Sequence, residues 1–303
     1  MGYVQAIVIL GGISMIAGLG VAILTGYTGL FTIGHAGFMA LGGYMAAILG
    51  KELHWGLVPA LLGGGLFAGL TSMIIGYPAF RRRLRGDYFA IATLGFAEAV
   101  RLLLNNVRKL GSIRLGGAYG YMDLPSLNDM TFMPDWLVVV VAALVTLYLT
   151  HMFATSEYGQ NCIAIRQDES AAQMMGVDLM RTKLLALFVS AFFCGIGGGL
   201  MGFYFGYINP SFFGIARSSD LLAAVVFGGI QSLIGPTLTS FLLVLVPQLM
   251  LTFAEYRYIV YGLLFAVVMV FRPQGLFGYT EMNLRWITRL FRQGPTDDRG
   301  AME

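Results

Sequence analysis

Charged side chains are scarce in this sequence, and several of the few gather in residues 160–183, QNCIAIRQDESAAQMMGVDLMRTK. Asp168 there can accept backbone N–H bonds as a helix N-cap, and Glu169 falls in the first turn, where the helix dipole favours an anion. Gly176 follows as a C-terminal stop. Between these signals Ser170, Ala171 and Ala172 are small, so a short helix here could be laid closely into a groove of a soluble partner. A solvated loop between helices is the alternative. This is docking chemistry rather than bond-making chemistry: no nucleophile stands at a recognisable offset from a base. The three histidines, His35, His54 and His151, have no metal-ligand spacing.

Two literal motif matches carry no site. Gly197, Gly199 and Gly202 spell a dinucleotide fingerprint, but they sit in an apolar helical run with no preceding strand. Gly195 with Gly199, and Gly198 with Gly202, place small residues four apart, which lets another helix approach closely. Gly50-Lys51 is followed by Glu52, with Met45 where a phosphate loop wants glycine, so no ATP-binding loop is present.

The elements that must position residues 160–183 are membrane spans. The chain is 57% hydrophobic and 12% charged, far below the roughly 25% charge of soluble domains. A net charge of +3 and no basic run interleaved with aromatics argue against nucleic acid. The two cysteines, Cys162 and Cys194, lie in unlike surroundings and imply no bridge. Nine apolar segments approach the length needed to cross a bilayer: 4–24, 30–49, 57–77, 88–104, 136–153, 184–204, 220–234, 237–253 and 258–271. The fold expected is all-α, a polytopic transmembrane helical bundle of about 8–10 spans with interrupted helices. The first segment has no basic flank or small-residue cleavage site, which suggests a retained span.

Lysine and arginine set the orientation. With Arg81, Arg82, Arg83 and Arg85 cytoplasmic, alternation also puts Arg166, Arg181, Lys183 and the basic tail on that side. Residues 155–183 then form a cytoplasmic loop, and the C-terminus is cytoplasmic. The chain divides into a transmembrane region, 1–280, and a tail, 281–303, where Leu284, Ile287, Leu290 and Phe291 oppose Arg285, Arg289 and Arg292. That pattern suits a helix lying on membrane lipid.

Two segments make poor plain spans. Residues 26–50, GYTGLFTIGHAGFMALGGYMAAILG, carry repeated glycines with Thr28, Thr32 and His35, so broken backbone is expected. His35 either lines a cavity or is a buried, hydrogen-bonded histidine at a helix crossing. Residues 213–236 are interrupted in mid-span at Gly228-Gly229 and closed by Gly235-Pro236, with Ser218, Ser219 and Asp220 at the outer entry read as capping that span, solute contact being the alternative. Asp87 is read as the cap of the fourth span, and Glu98 with Arg101 as an ion pair one turn apart.

LFTIGHAGFMALGGYMAAIL at 30–49, RGDYFAIATLGFAEAVRLLL at 85–104, LGGAYGYMDLP at 115–125, and residues 159–202 together resemble the permeases of branched-chain amino acid ABC importers, most closely the M-type subunit. The resemblance covers nearly the whole chain. It implies a non-enzymatic permease in a bacterial inner membrane, joined to a sister permease subunit, two cytoplasmic ATPase subunits and an extracytoplasmic solute-binding protein. ATP and Mg would be bound by the ATPase chains, with no cofactor in this one. It also implies ATPase coupling through Asp168, Glu169, Ala171, Ala172 and Gly176. A solute path is expected along Gly34, His35, Gly37, Thr93, Gly95, Gly228 and Gly229. Branched-chain or other small neutral amino acids suit a path with almost no fixed charge; urea or short amides, or a self-sufficient channel or secondary transporter, are the alternatives.

Overall fold

The computed structural model describes residues 2–82, 84, 86–109, 115–131, 133–229, 232–249 and 262. The expected segment at 258–271, save residue 262, and the tail at 281–303 lie outside the described residues. Among those described the architecture is helical throughout, as expected. The helices are α1 (Gly2–Val21), α2 (His35–Glu52), α3 (Leu57–Arg81), α4 (Asp87–Asn106), α5 (Leu127–Met130), α6 (Asp135–Thr155), α7 (Glu157–Gln167), α8 (Glu169–Met174), α9 (Leu179–Phe205), α10 (Ile215–Gly228) and α11 (Ile234–Leu249). Four of them are long and apolar enough to cross a membrane: α1 with its π-helical extension to Tyr27, α3, α6 and α9.

α9 is the hub, packing on α1, α2 and α3. Its glycines explain how. A Cβ on Gly195 would stand 2.8 Å from the Ala68 side chain and 3.1 Å from the Gly65 backbone, and one on Gly199 would stand 2.7 Å from Leu61. Gly198 lies hard against the Met39 carbonyl, and Gly202 faces Ile208. Gly195 and Gly199 thus serve α3 and Gly198 serves α2, while Gly202 meets the Ile208 and Leu124 side chains outside the long helices. Close backbone approach is how apolar helices gain packing energy where lipid competes equally for side chains.

Contacts along α9 fix directions. His35 meets Ser190, Gly42 meets Gly195 and Gly50 meets Phe203, so α2 and α9 run parallel. Gly20 meets Ser190 while Gly197 meets Ala17 and Ile13, so α1 runs antiparallel to α9. α3 and α6 turn an apolar belt outward: Leu62, Leu66, Leu70 and Ile74 on one, Val141, Leu144, Val145 and Tyr148 on the other. Such side chains suit hydrocarbon tails.

Several boundaries differ from expectation. The second span starts at His35, not residue 30, because 28–34 is non-helical. Gly86, at φ +53°, precedes α4, and Asp87 is its first helical residue rather than its cap. Gly214 occupies the N-cap position of α10 after a 3-10 turn at Pro210–Phe213, so Ser218, Ser219 and Asp220 lie within that helix and do not cap it. Glu98 and Arg101 do pair, the Arg101 Nε reaching both carboxylate oxygens at 3.0 Å.

Candidate functional site

The stretch that opened the sequence reading forms a helical hairpin. Ser156 caps α7 by accepting from the Gly159 N–H at 3.4 Å. Asp168 ends α7 and caps α8, its Oδ1 accepting from the Ser170 and Ala171 amides at 2.7 and 3.1 Å. Gly176 takes φ +89°, a backbone conformation that side chains disfavour. Its N–H donates to the Gln173 carbonyl and the Val177 N–H to the Ala172 carbonyl, each at 3.1 Å, closing α8 with a paired C-terminal motif. Asp178 then caps α9, accepting from the Met180 and Arg181 amides at 3.1 Å. A helix of this length cannot persist by propensity alone, so caps and tertiary ties must hold it.

Two ties do so. Glu169 Oε1 accepts from Lys183 Nζ at 2.7 Å, with the lysine side chain 8% exposed. Buried charges of this kind must stay paired, since an uncompensated one is costly. Arg166 Nη1 donates to the Gly26 carbonyl in the interrupted first span, and a Cβ on Gly29 would stand 2.8 Å from Arg166 Cγ. α7 is thereby joined to the break. Burial pushes the Cys162 thiol up to about 11, opposed by its hydrogen bond with Thr28.

α8 separates two clefts. One, of about 420 Å³, runs between Thr25–Phe31 residues and the 165–170 stretch; the other, of about 340 Å³, lies among Phe80, Leu84, Gln173, Val177 and Met180. Ala172 is buried, whereas Ala171 is exposed and Met174 and Met175 are 87% and 85% exposed. The outward surface is therefore larger and softer than the alanine-only face expected. Methionine adapts to irregular apolar partners.

The second site is the break itself. After the π-helical turn Ala22–Tyr27, residues 28–34 satisfy their polar groups locally. Thr25 and Thr28 donate to the Leu30 and Ile23 carbonyls at 3.3 and 3.1 Å. Thr32 accepts from the Gly34 N–H at 3.2 Å and donates to Thr93 Oγ1 at 3.0 Å. His35 is buried, 2.8 Å from Ser190 Oγ, and the neighbouring Ala36 N–H donates to Ser218 Oγ at 3.1 Å. A Cβ on Gly34 would stand 2.6 Å from the Thr93 carbonyl oxygen, and one on Gly37 2.7 Å from Ala97 Cα. Gly34, His35, Gly37 and Thr93 thus meet at one packed junction of α2, α4, α9 and α10. Gly95, on the opposite side of α4, is exposed with nothing within 4 Å of its Cβ position.

Gly228 ends α10 and packs on Gly235, while Gly229, at φ 107°, starts the turn toward α11. The interruption expected at Gly228-Gly229 is present, whereas Gly235-Pro236, expected to close the same span, fall in the first turn of α11, where a proline's missing N–H costs no helical bond. Sequence reading missed Lys183, Ser190 and Ser218 as partners. Their pairings span 14, 155 and 182 residues, and no local spacing rule reaches so far. Met174 and Met175 carried a signal, an apolar pair in a polar stretch, that went unused.

Residues 3–270 match the family model described as "Branched-chain amino acid transport system / permease component". Among curated proteins the chain is 32% identical over 301 residues to the high-affinity branched-chain amino acid transport permease LivM of Escherichia coli, covering 90% of this chain and 69% of that protein. It is 34% identical to LivM of Salmonella typhimurium over 300 residues, with the same coverage. LivH of Salmonella typhimurium is 24% identical over 292 residues, covering 91% of this chain and 94% of LivH. A solved structure, PsaBC from Streptococcus pneumoniae in complex with Fab, shares the fold with a TM-score of 0.50 at 14% identity, covering 89% of this chain and 91% of that one. These relatives are transport permeases, not enzymes.

The chain belongs to the branched-chain amino acid transport permease family. It is a multi-pass membrane protein.

Proposed function

We propose that this family member is the M-type permease subunit of an ATP-driven importer for branched-chain or other small neutral amino acids, set in a bacterial inner membrane. The observation that carries this reading is α8: a capped helix outside the long spans, tied to α9 by Glu169–Lys183 and presenting Met174 and Met175 outward. An exposed methionine pair of this kind suits a soluble partner's groove. The partner proposed is a cytoplasmic ATPase, two copies per importer, which binds ATP and Mg. Asp168, Glu169 and Gly176 shape the coupling helix, Ala171 faces the ATPase, and Ala172 seats the helix on its own chain.

A sister permease of the LivH kind completes the membrane core, and an extracytoplasmic binding protein delivers solute. The permease region is 1–280, with the C-terminal tail 281–303 on the cytoplasmic leaflet, in keeping with its arginines. The solute path runs along Gly34, His35, Gly37 and Thr93 at the break and Gly228 and Gly229 at the end of α10, with Gly95 on the outer side of α4. Near-absence of fixed charge along it suits a neutral or zwitterionic solute.

The test is purification in mild detergent with the candidate partners, then reconstitution. Co-purification with the ATPase and ATP-dependent leucine uptake are expected. Leucine flux that continues without any ATPase would overturn the importer reading in favour of a channel.

A further inference from the structure

The end of α3 that faces α8 is built unlike the end of α6 on the same side. Leu66, Leu70, Ile74, Tyr77 and Arg81 are exposed and stand three or four residues apart, so they form one continuous outward stripe of α3. From Leu66 to Tyr77 the stripe rises about 16 Å, the depth of one leaflet of a ~30 Å hydrocarbon core. Gly76 packs against Leu187 and Leu184 of α9, and Leu184 is where the apolar run of α9 begins after Lys183. Tyr77 is therefore level with the membrane boundary, and Arg81, one turn beyond, lies at headgroup depth. α6 ends on this side at Met152, Phe153, Ala154 and Thr155, with no basic residue in its last turn.

Arg81 is fixed on that stripe. Its Nη1 donates to the Tyr77 hydroxyl at 3.2 Å, and its guanidinium carbon lies 5.9 Å from the centre of the Tyr77 ring. A guanidinium keeps donors to spare after one such bond. Arg82 beside it is exposed, and among the described residues no carboxylate pairs with either arginine. In the sequence the run Arg81, Arg82, Arg83 and Arg85 meets its first carboxylate at Asp87. Cations that close an apolar stripe, with a tyrosine at the join, match a phospholipid lying along the helix: acyl chains on the leucines, ester groups level with Tyr77, and an anionic phosphate on the guanidinium. A free phosphate would use the arginines and leave the stripe without a role.

The same turn of α3 borders the coupling helix. Phe80, buried beside Arg81, stacks on Phe89 with ring centres 5.1 Å apart. With Leu84 it lines the cleft of about 340 Å³ whose other wall carries Gln173 of α8 and the Glu169–Lys183 pair. We propose that Arg81 and Arg82, with Tyr77 and the apolar stripe, seat one anionic phospholipid, and that this lipid holds the α3 wall closed over the Glu169–Lys183 pair. A covered ion pair is screened less by water and salt than an open one, so α8 is seated most firmly in a membrane that contains anionic lipid. This rests on the importer reading above and adds to it a ligand class and a lever on α8.

The experiment uses the complete importer reconstituted in vesicles of phosphatidylcholine alone or mixed with phosphatidylglycerol. Spin-labelled phosphatidylglycerol should be immobilised at the parent complex in preference to spin-labelled phosphatidylcholine, and binding-protein-stimulated ATP hydrolysis should be several-fold higher in the mixed vesicles. Each arginine near such a lipid is worth about fivefold, so Arg81→Gln with Arg82→Gln should lower the lipid preference at least about tenfold and abolish the gain in hydrolysis. Arg108→Gln with Lys109→Gln, the same charge loss beyond the far end of α4, should keep that gain; its loss there too would make it a bulk charge effect and overturn the site. Equal hydrolysis in the two vesicle types, or an unchanged preference in the Arg81→Gln, Arg82→Gln variant, also overturns it. Inorganic phosphate added to phosphatidylcholine vesicles should not reproduce the gain, and if it does, the arginines hold a free anion and the lipid site is overturned. If the double variant fails to assemble, Arg82→Gln alone decides, at about fivefold, since that side chain is exposed and bonds to none of the described residues. Failure of this inference leaves ATP-driven leucine uptake equal in both vesicle types, whereas failure of the importer reading removes that uptake in both while the lipid preference persists.

Discussion

The coupling hairpin and the break between the first span and α2 are both interruptions in a bundle of apolar helices, and they are secured in opposite ways. α7 and α8 are closed by neighbours in sequence: Ser156, Asp168, Gly176 and Asp178 each bond within a few residues. The break at 28–34 and the start of α2 that follows it are secured also by partners far along the chain: Thr93 on Thr32, Ser190 on His35 and Ser218 on Ala36. Water can satisfy the open ends of the first region, so local caps suffice. The buried polar groups of the break, Thr25, Thr28 and Thr32, find protein partners instead, as non-helical backbone buried in protein must. Arg166, on α7, bridges the two regions through the Gly26 carbonyl.

The largest effect that would sharpen this contrast is expected at the Glu169–Lys183 pair, whose lysine is buried. Glu169→Arg replaces an ion pair with two adjacent cations, at a cost of roughly 3–5 kcal/mol to the seating of α8. Solute-stimulated ATP hydrolysis by the reconstituted complex should collapse while the long spans still assemble, and Glu169→Lys combined with Lys183→Glu should restore part of it. A wild-type rate in Glu169→Arg would show that α8 needs no tie to α9.

At the break, substitutions should separate packed from open positions. Gly37→Leu must displace the Ala97 backbone and is expected to cost about 1–3 kcal/mol or more, lowering the yield of assembled complex. Gly95→Leu meets nothing within its own chain and should leave this subunit folded, while lowering leucine uptake if the path lies beside it. Equal yields of Gly37→Leu and wild type would remove the packed junction from the account.

A smaller effect is expected from the local caps. Asp168→Ala removes two amide bonds and should weaken α8 by about 1 kcal/mol, read as faster proteolysis of residues 160–183 with near-normal membrane assembly. Protease protection equal to wild type would mean that the Glu169–Lys183 tie holds the helix without its cap.

The same contrast explains what could be read beforehand. Asp168 and Gly176 announce a helix because the bonds they make lie within the turn that contains them. The α9 glycines announce close packing because their spacing matches one helical face. Ser218 was misplaced as a cap because its partner, Ala36, lies 182 residues away, and Asp220 was carried with it. The inward turn of Ala172 depends on how α8 rests on α9, which composition does not encode. Residues that bond within their own element were legible; those that bond across the bundle were not.

The central claim is that α8 hands the work of an ATPase to this permease, and its outward face offers the most direct measurement. Met174→Asp with Met175→Asp leaves the caps, the Glu169–Lys183 pair and every long span untouched. Binding-protein-stimulated ATP hydrolysis in the reconstituted importer should fall to the unstimulated rate, and the ATPase should dissociate during purification. Full stimulation with a stably bound ATPase would contradict the claim.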